Sequence, residues 1–116
     1  MVSDNVLAAD NVLAVNDANF QQEVLDVSTP VLVDFTAGWC QPCRVVAPLV
    51  AQLATEYEGR VKITKLDIDE SPTTAQRFGV RGVPTLMVFK DGQVVDQQVG
   101  AVPKTRIASM LDRSLS

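Results

Sequence analysis

The chain carries only two cysteines, Cys40 and Cys43, and they bracket Gln41-Pro42 directly after Trp39. Two intervening residues let the sulfurs meet within one helical turn, so they can close and reopen a disulfide with each other. Cysteines this near cannot tie distant parts of a fold together, which argues against a structural cross-link and makes thiol–disulfide exchange a candidate chemistry. The attacking species in that exchange is the thiolate, and a helix N-terminus stabilises it through unpaired N–H groups and partial positive charge. An apolar strand precedes the pair and an amphipathic pattern follows it. Cys40 is therefore expected at the helix start, within reach of solvent, as the nucleophile that forms a mixed disulfide. Cys43, one turn further in, is expected to be covered and to resolve that intermediate. Pro42 suits the first turn and stiffens it. Half of a metal site, or two inert core thiols, would also produce C-x-x-C, and the strand–turn–helix setting weighs against both.

Asp34 interrupts the apolar run Val31 to Phe35, six residues before Cys40. A carboxylate in a central strand loses its hydration, so its pKa should rise. We expect Asp34 to shuttle the proton of Cys43. A structural pairing with Lys65 on the neighbouring strand is the other reading, and the two are compatible, because Lys65 would tune the acid. Pro84 opens a strand in Val83-Pro84-Thr85. Spacing leaves a plain strand-start proline and a cis peptide equally open.

These groups need a frame to hold them. Asn11 to Val15 reads as a short strand. Asn16 or Asp17 can cap a helix with Phe20, Val24 and Val27 on one face, which Ser28-Thr29-Pro30 ends. Val31 to Phe35 is a strand buried on both faces. The pattern Cys43, Val46, Ala47, Val50, Leu53, Ala54, Tyr57 marks a long helix, with Pro48 inside it expected to produce a kink and Gly59 to end it. Val61 to Ile68 is a strand, and Ser71-Pro72 reads as cap and first residue of a short helix stopping near Gly79. Thr85 to Phe89 and Gln93 to Val99 form a hairpin across Lys90-Asp91-Gly92. Pro103 opens a last helix burying Ile107, Leu111 and Leu115. The order β-α-β-α-β-α-β-β-α implies an α/β fold with a mixed sheet and helices on both faces.

The 116 residues suit one domain, with 1–10 as a loose leader and 11–116 as the domain proper. A hydrophobic fraction of 47% supports a core without a metal or a disulfide framework. The net charge of −4, with basic residues scattered, disfavours nucleic-acid binding. No apolar run approaches the ~20 residues of a membrane span, and the first ten residues lack the basic start of a secretory signal, so a cytoplasmic setting is expected. With no histidine, Cys–His catalysis is excluded, and a four-ligand zinc site would need another chain or unusual carboxylate ligands. No metal is expected, and no cofactor beyond the redox-active pair.

From about Asn11 to Leu115 the chain resembles the thioredoxin family. The resemblance rests on Val31-Leu32-Val33-Asp34-Phe35, Trp39-Cys40 with Pro42-Cys43, Ala47-Pro48, Lys65 with Asp67-Ile68-Asp69, Gly82-Val83-Pro84-Thr85, Phe89-Lys90-Asp91-Gly92 and Val99-Gly100-Ala101. It implies a central mixed five-stranded sheet flanked by four helices. It implies Cys40 as nucleophile, Cys43 as resolving thiol, Asp34 as buried acid–base group with Lys65 beside it, and a cis Pro84 facing the cysteines. It makes Trp39, Pro42, Val83, Pro84, Gly100 and Ala101 an apolar docking surface for extended substrate backbone, with Gln41 in the same loop. Taken alone, Trp39 could as well pack a loop and Gly100 could be an ordinary turn glycine. Two departures stand out: Gln41 replaces the usual Gly beside the nucleophile, and Thr36 replaces a Trp commonly found two residues after the buried Asp. The first bears on reduction potential, the second on packing beside the site.

The resemblance implies a protein-disulfide reductase, monomeric, acting on disulfide-containing proteins and re-reduced by a thioredoxin reductase-type electron donor. A thioredoxin-like binding subunit of a larger complex, with redox activity secondary, is the reading from another class.

Overall fold

The computed structural model describes residues 11–116. The expected leader, 1–10, lies outside the described residues. Five strands, β1 (Leu13–Val15), β2 (Val31–Thr36), β3 (Lys62–Asp67), β4 (Thr85–Lys90) and β5 (Gln93–Val99), form one sheet in the order β1-β3-β2-β4-β5. β3 runs parallel to both β1 and β2, while β4 is antiparallel to β2 and to β5. The helices are α1 (Gln41–Glu56), α2 (Pro72–Arg77) and α3 (Lys104–Ser114), with a π-helical segment at Gln21–Leu25. Among the described residues no helix is long and apolar enough to cross a membrane.

Strand alternation sorts β2 onto two cores. Leu32 faces α1 and α3, packing with Val46, Val50, Leu53, Ile107 and Leu111. Val31, Val33 and Phe35 face the other way, against Phe20, Val24 and Phe89. There Phe20, Phe78 and Phe89 form a three-ring cluster with centroids 5.1–5.6 Å apart, each pair worth about 0.5–1.5 kcal/mol beyond the area it buries. The hairpin turn places both Asp91 (φ 53°) and Gly92 (φ 80°) in the left-handed region, as a two-residue turn matched to strand twist requires.

Four local expectations change. The first helix is a short π-helical segment, closed by Asp26 N–H on Gln21 O at 2.9 Å, and Val27 lies beyond it, half-buried. The hydrophobic spacing marks the buried face but leaves the hydrogen-bond register open. The segment's N-cap is Phe20, with no side-chain cap, so Asn16 does not cap it; the Asn16 side chain accepts the Asn19 N–H at 2.9 Å in the preceding turn. Asp17 instead caps α2, accepting from Thr74 N (2.8 Å) and Thr73 N (3.3 Å). Ser71, at the start of α2, makes no side-chain cap there, because its hydroxyl accepts the Asp17 N–H. In α3 the buried set is Ile107, Met110, Leu111 and Ser114. Leu115 falls past the last turn and is 39% exposed. α1 continues through Pro48, which lacks the N–H that would otherwise bond the Arg44 carbonyl.

Candidate active site

β2 ends at Thr36, and four residues later α1 begins with Cys40 as its N-cap (φ −91°, ψ 112°) and Pro42 in its first turn. An extended N-cap directs its side chain back over the first-turn N–H groups. Here the cap atom is sulfur: Cys40 Sγ accepts from Cys43 N at 3.1 Å. Cys40 and Cys43 are joined as a disulfide. The arrangement therefore offers the position 40 sulfur one direct N–H donor and the positive end of a sixteen-residue helix, both of which favour negative charge there.

Both cysteines are almost fully buried, at 3% exposure each, which corrects the expectation that Cys40 is the open one. They pack with Ala37, and with the half-buried Ile68 and Val83. Cys40 Sγ in the disulfide lies 3.6 Å from Val83 O. The cover over Cys40 is thus the loop leading into β4, a neighbour more than forty residues away that no local pattern reveals. The Val83–Pro84 peptide is cis. Pro84 is itself buried, and its carbonyl accepts the Gly100 N–H at 2.8 Å, drawing residue 100 (φ 97°) to the same rim.

Around the buried sulfurs, Trp39, Gln41, Pro42 and Ala101 are exposed, while Val83 and Gly100 are half-buried. Trp39 stands 68% exposed, so it is not a loop-packing residue. Its indole N–H donates to Asp69 Oδ2 at 2.8 Å, which fixes the ring's orientation at the rim. Arg44 donates to Gly38 O at 2.8 Å and so closes the turn from the helix side. Reading the sequence did not single out Asp69 and Arg44 as functional. Asp69 appeared only within a family motif, and its link to Trp39 spans thirty residues.

Asp34 sits midway along β2, 4% exposed, with Lys65 directly opposite on β3 and Leu86 on β4. Its Oδ1 is buried with no hydrogen-bond partner among the described residues. Burial pushes its pKa from 3.8 up to about 7, against the opposing pull of the Lys65 charge. No direct ion pair joins the two among the described residues. Lys65 acts on Asp34 through space. A carboxyl that titrates near neutrality can hold or release a proton at physiological pH.

Among the described residues no group of three or more His, Cys, Asp or Glu side chains is placed to hold a metal ion. A thioredoxin family model matches residues 11–113. A thioredoxin of Synechocystis is 57% identical over 101 residues, spanning 87% of this chain and 94% of its own. Thioredoxin 1 of Synechococcus elongatus is 58% identical over 102 residues, covering 88% and 95%. Thioredoxin C-2 of Corynebacterium nephridii is 50% identical over 99 residues, covering 85% and 92%. With the matched region running from before β1 almost to the end of α3, and the cysteine pair capping α1 as a disulfide, the chain belongs to the thioredoxin family of thiol–disulfide oxidoreductases.

Proposed function

We propose that this oxidoreductase works as a reductant of protein disulfides, with Cys40 attacking and Cys43 resolving. The Cys40 thiolate attacks one sulfur of the substrate disulfide, forming a mixed disulfide and releasing the other substrate sulfur as a thiolate. Cys43 then attacks Cys40 Sγ, the second substrate sulfur leaves, and the Cys40–Cys43 disulfide forms. Two electrons pass to the substrate, whose two thiolates take up protons. The pair carries those electrons itself, so the chemistry calls for no further cofactor. Asp34 accepts the Cys43 proton as that thiol becomes the attacking thiolate, and Lys65 steadies the resulting carboxylate.

The observation that carries this reading is the Cys43 N–H aimed at Cys40 Sγ at the start of α1. It supports position 40 as the site of thiolate stabilisation. The rim of Trp39, Gln41, Pro42, Val83, Gly100 and Ala101, with Pro84 buried beneath it, suits an extended substrate segment whose main chain bonds across it, since such contacts tolerate varied side chains. A dithiol reductant must be kept reduced, which favours a cytoplasmic home, a reductase-type electron donor and a part in electron transport and redox homeostasis. The protein acts as a monomer in this scheme.

The test is turnover of a disulfide-bonded protein with dithiothreitol as the electron source. Cys40→Ser should abolish turnover, and Cys43→Ser should accumulate a mixed disulfide through position 40. Trapping through Cys43 in the Cys40→Ser chain instead would reverse the roles. Partner binding retained without any turnover in the unmodified chain would favour the binding-subunit reading. For Asp34, an Asp34→Asn chain that resolves its mixed disulfide at an unchanged rate across neutral pH would remove the proton role.

A further inference from the structure

Leu32, Asp34 and Thr36 share one face of β2, and the parallel register sets Lys65 opposite Asp34 and Asp67 opposite Thr36. On β1, Ala14 falls opposite Lys65. At the C-terminal ends of these strands lies an open cleft of about 300 Å³, lined by Ala14, Thr36, Gly38, Lys65, Asp67 and Glu70 among others. Asp34 does not line it, but sits one residue pair deeper on the same face. Lys65 belongs to both, being half-buried, a wall of the cleft, and the residue whose charge acts on the Asp34 carboxylate. Thr36, half-buried, lines this cleft one step along β2 from Asp34 on the same face. Its side chain is short, and a bulkier one at a lining position would fill part of the cleft.

We propose that the cleft beside Thr36 is the aqueous port through which Asp34 exchanges its proton with solvent, with Lys65 as the inner wall. The inference rests on the proton role given to Asp34 above. After the Cys43 proton has reached the Asp34 carboxylate, it must leave before the next reductive cycle, and the disulfide side offers a poor exit. There the sulfurs are packed under Ala37, Ile68 and Val83. The cleft side opens on Lys65, Asp67 and Glu70, polar groups that hold water. Water reaching Lys65 partly hydrates the charged pair and assists ionisation of the acid. The charge that acts on Asp34 is that of Lys65 on β3; Asp67 and Glu70 line the cleft beyond it, and Cys40 and Cys43, joined as a disulfide, do not titrate. Arg44 is held on Gly38 O at the cleft's edge, while β4 and β1 present Leu86 and Ala14 at that register. Thr36 is thus a positioning residue, controlling water rather than touching the substrate.

The experiment follows the Asp34 carboxyl resonance by carbon NMR against pH, in the full chain with the disulfide intact. Thr36→Trp, which plugs the cleft, should move the titration midpoint upward by about one pH unit. Thr36→Leu, a smaller plug, should move it in the same direction by less, and serves if the Trp chain folds poorly. Thr36→Val, which removes the hydroxyl but leaves the space, should not move it. The pH at which mixed-disulfide resolution is fastest should shift with the midpoint. A wild-type midpoint near neutrality that neither plug moves would overturn the port while leaving the proton role standing. A Thr36→Val shift as large as that of Thr36→Trp would also overturn it, since the hydroxyl would then matter and not the space. A wild-type midpoint at the ordinary carboxylate value would instead remove the role of Asp34 on which the port rests.

Discussion

At pH 8 an Asp34→Asn chain should unfold at a higher urea concentration than the wild type, and at pH 4 the two should nearly coincide. The perturbation replaces a buried carboxyl by a neutral group of the same shape. The folded pKa of Asp34 is about 7, against an ordinary 3.8, so between those values the folded chain holds a proton that the unfolded chain has released. Stability therefore falls as pH rises through this window, and the loss is complete above the folded pKa. Three pH units at 1.36 kcal/mol each set a ceiling of about 4 kcal/mol. An m-value of about 1.5 kcal/mol per molar urea converts that ceiling into a midpoint shift of roughly 2–3 M. Asparagine carries no charge, so the variant lacks this particular loss across the window. The assay is equilibrium urea unfolding of the oxidised protein at pH 4, 6 and 8, read by the single tryptophan and by circular dichroism. The quantity of interest is the wild-type minus variant difference at each pH, which cancels the other carboxylates. A difference that stays flat from pH 4 to 8 would refute the reasoning, because it would mean that Asp34 ionises equally well folded and unfolded.

Asp17→Ala should destabilise the chain at pH 7 by removing the oxygens that accept from Thr73 and Thr74 at the start of α2. The bond with Thr74 holds the Asp17 pKa below 3.8, so that stabilisation is present above 3.8 and lost as pH falls through the lowered folded value. Urea midpoints of variant and wild type should then converge in acid. Phe89→Ala removes a fully buried ring from the three-ring cluster and should cost about 3–5 kcal/mol, measured by the same unfolding experiment. The single tyrosine, Tyr57, is pushed up to about 12 by burial and by its 2.6 Å bond to Asp112, so ultraviolet titration should find it ionising well above the ordinary 10. Asp112→Asn should lower that midpoint.

The order of elements and the place of the cysteines were readable before any coordinates, because both depend on local rules. Alternation and helical spacing mark which face is apolar, and an unbroken apolar run such as Val31 to Phe35 announces a strand covered on both sides. Asp34 stood out for the same reason, as a charge in a place that water does not reach. The helix start at Cys40 follows from a turn ending in Pro42, and with it the direction of the field on the sulfur. Other features depend on which segments touch, and propensity carries no record of that. The cover over Cys40 comes from Val83, the cap of α2 from Asp17, the anchor of Trp39 from Asp69, and the tie on Pro84 from Gly100. Each partner polar group needs a counterpart, yet many residues of the right type exist, and only the packed chain selects one. The cleft at Thr36 is the same case seen from its empty side. Thr36 stands out in the sequence only as a departure from the family pattern, and it takes the sheet to set it beside Lys65 and Asp67 around a cleft.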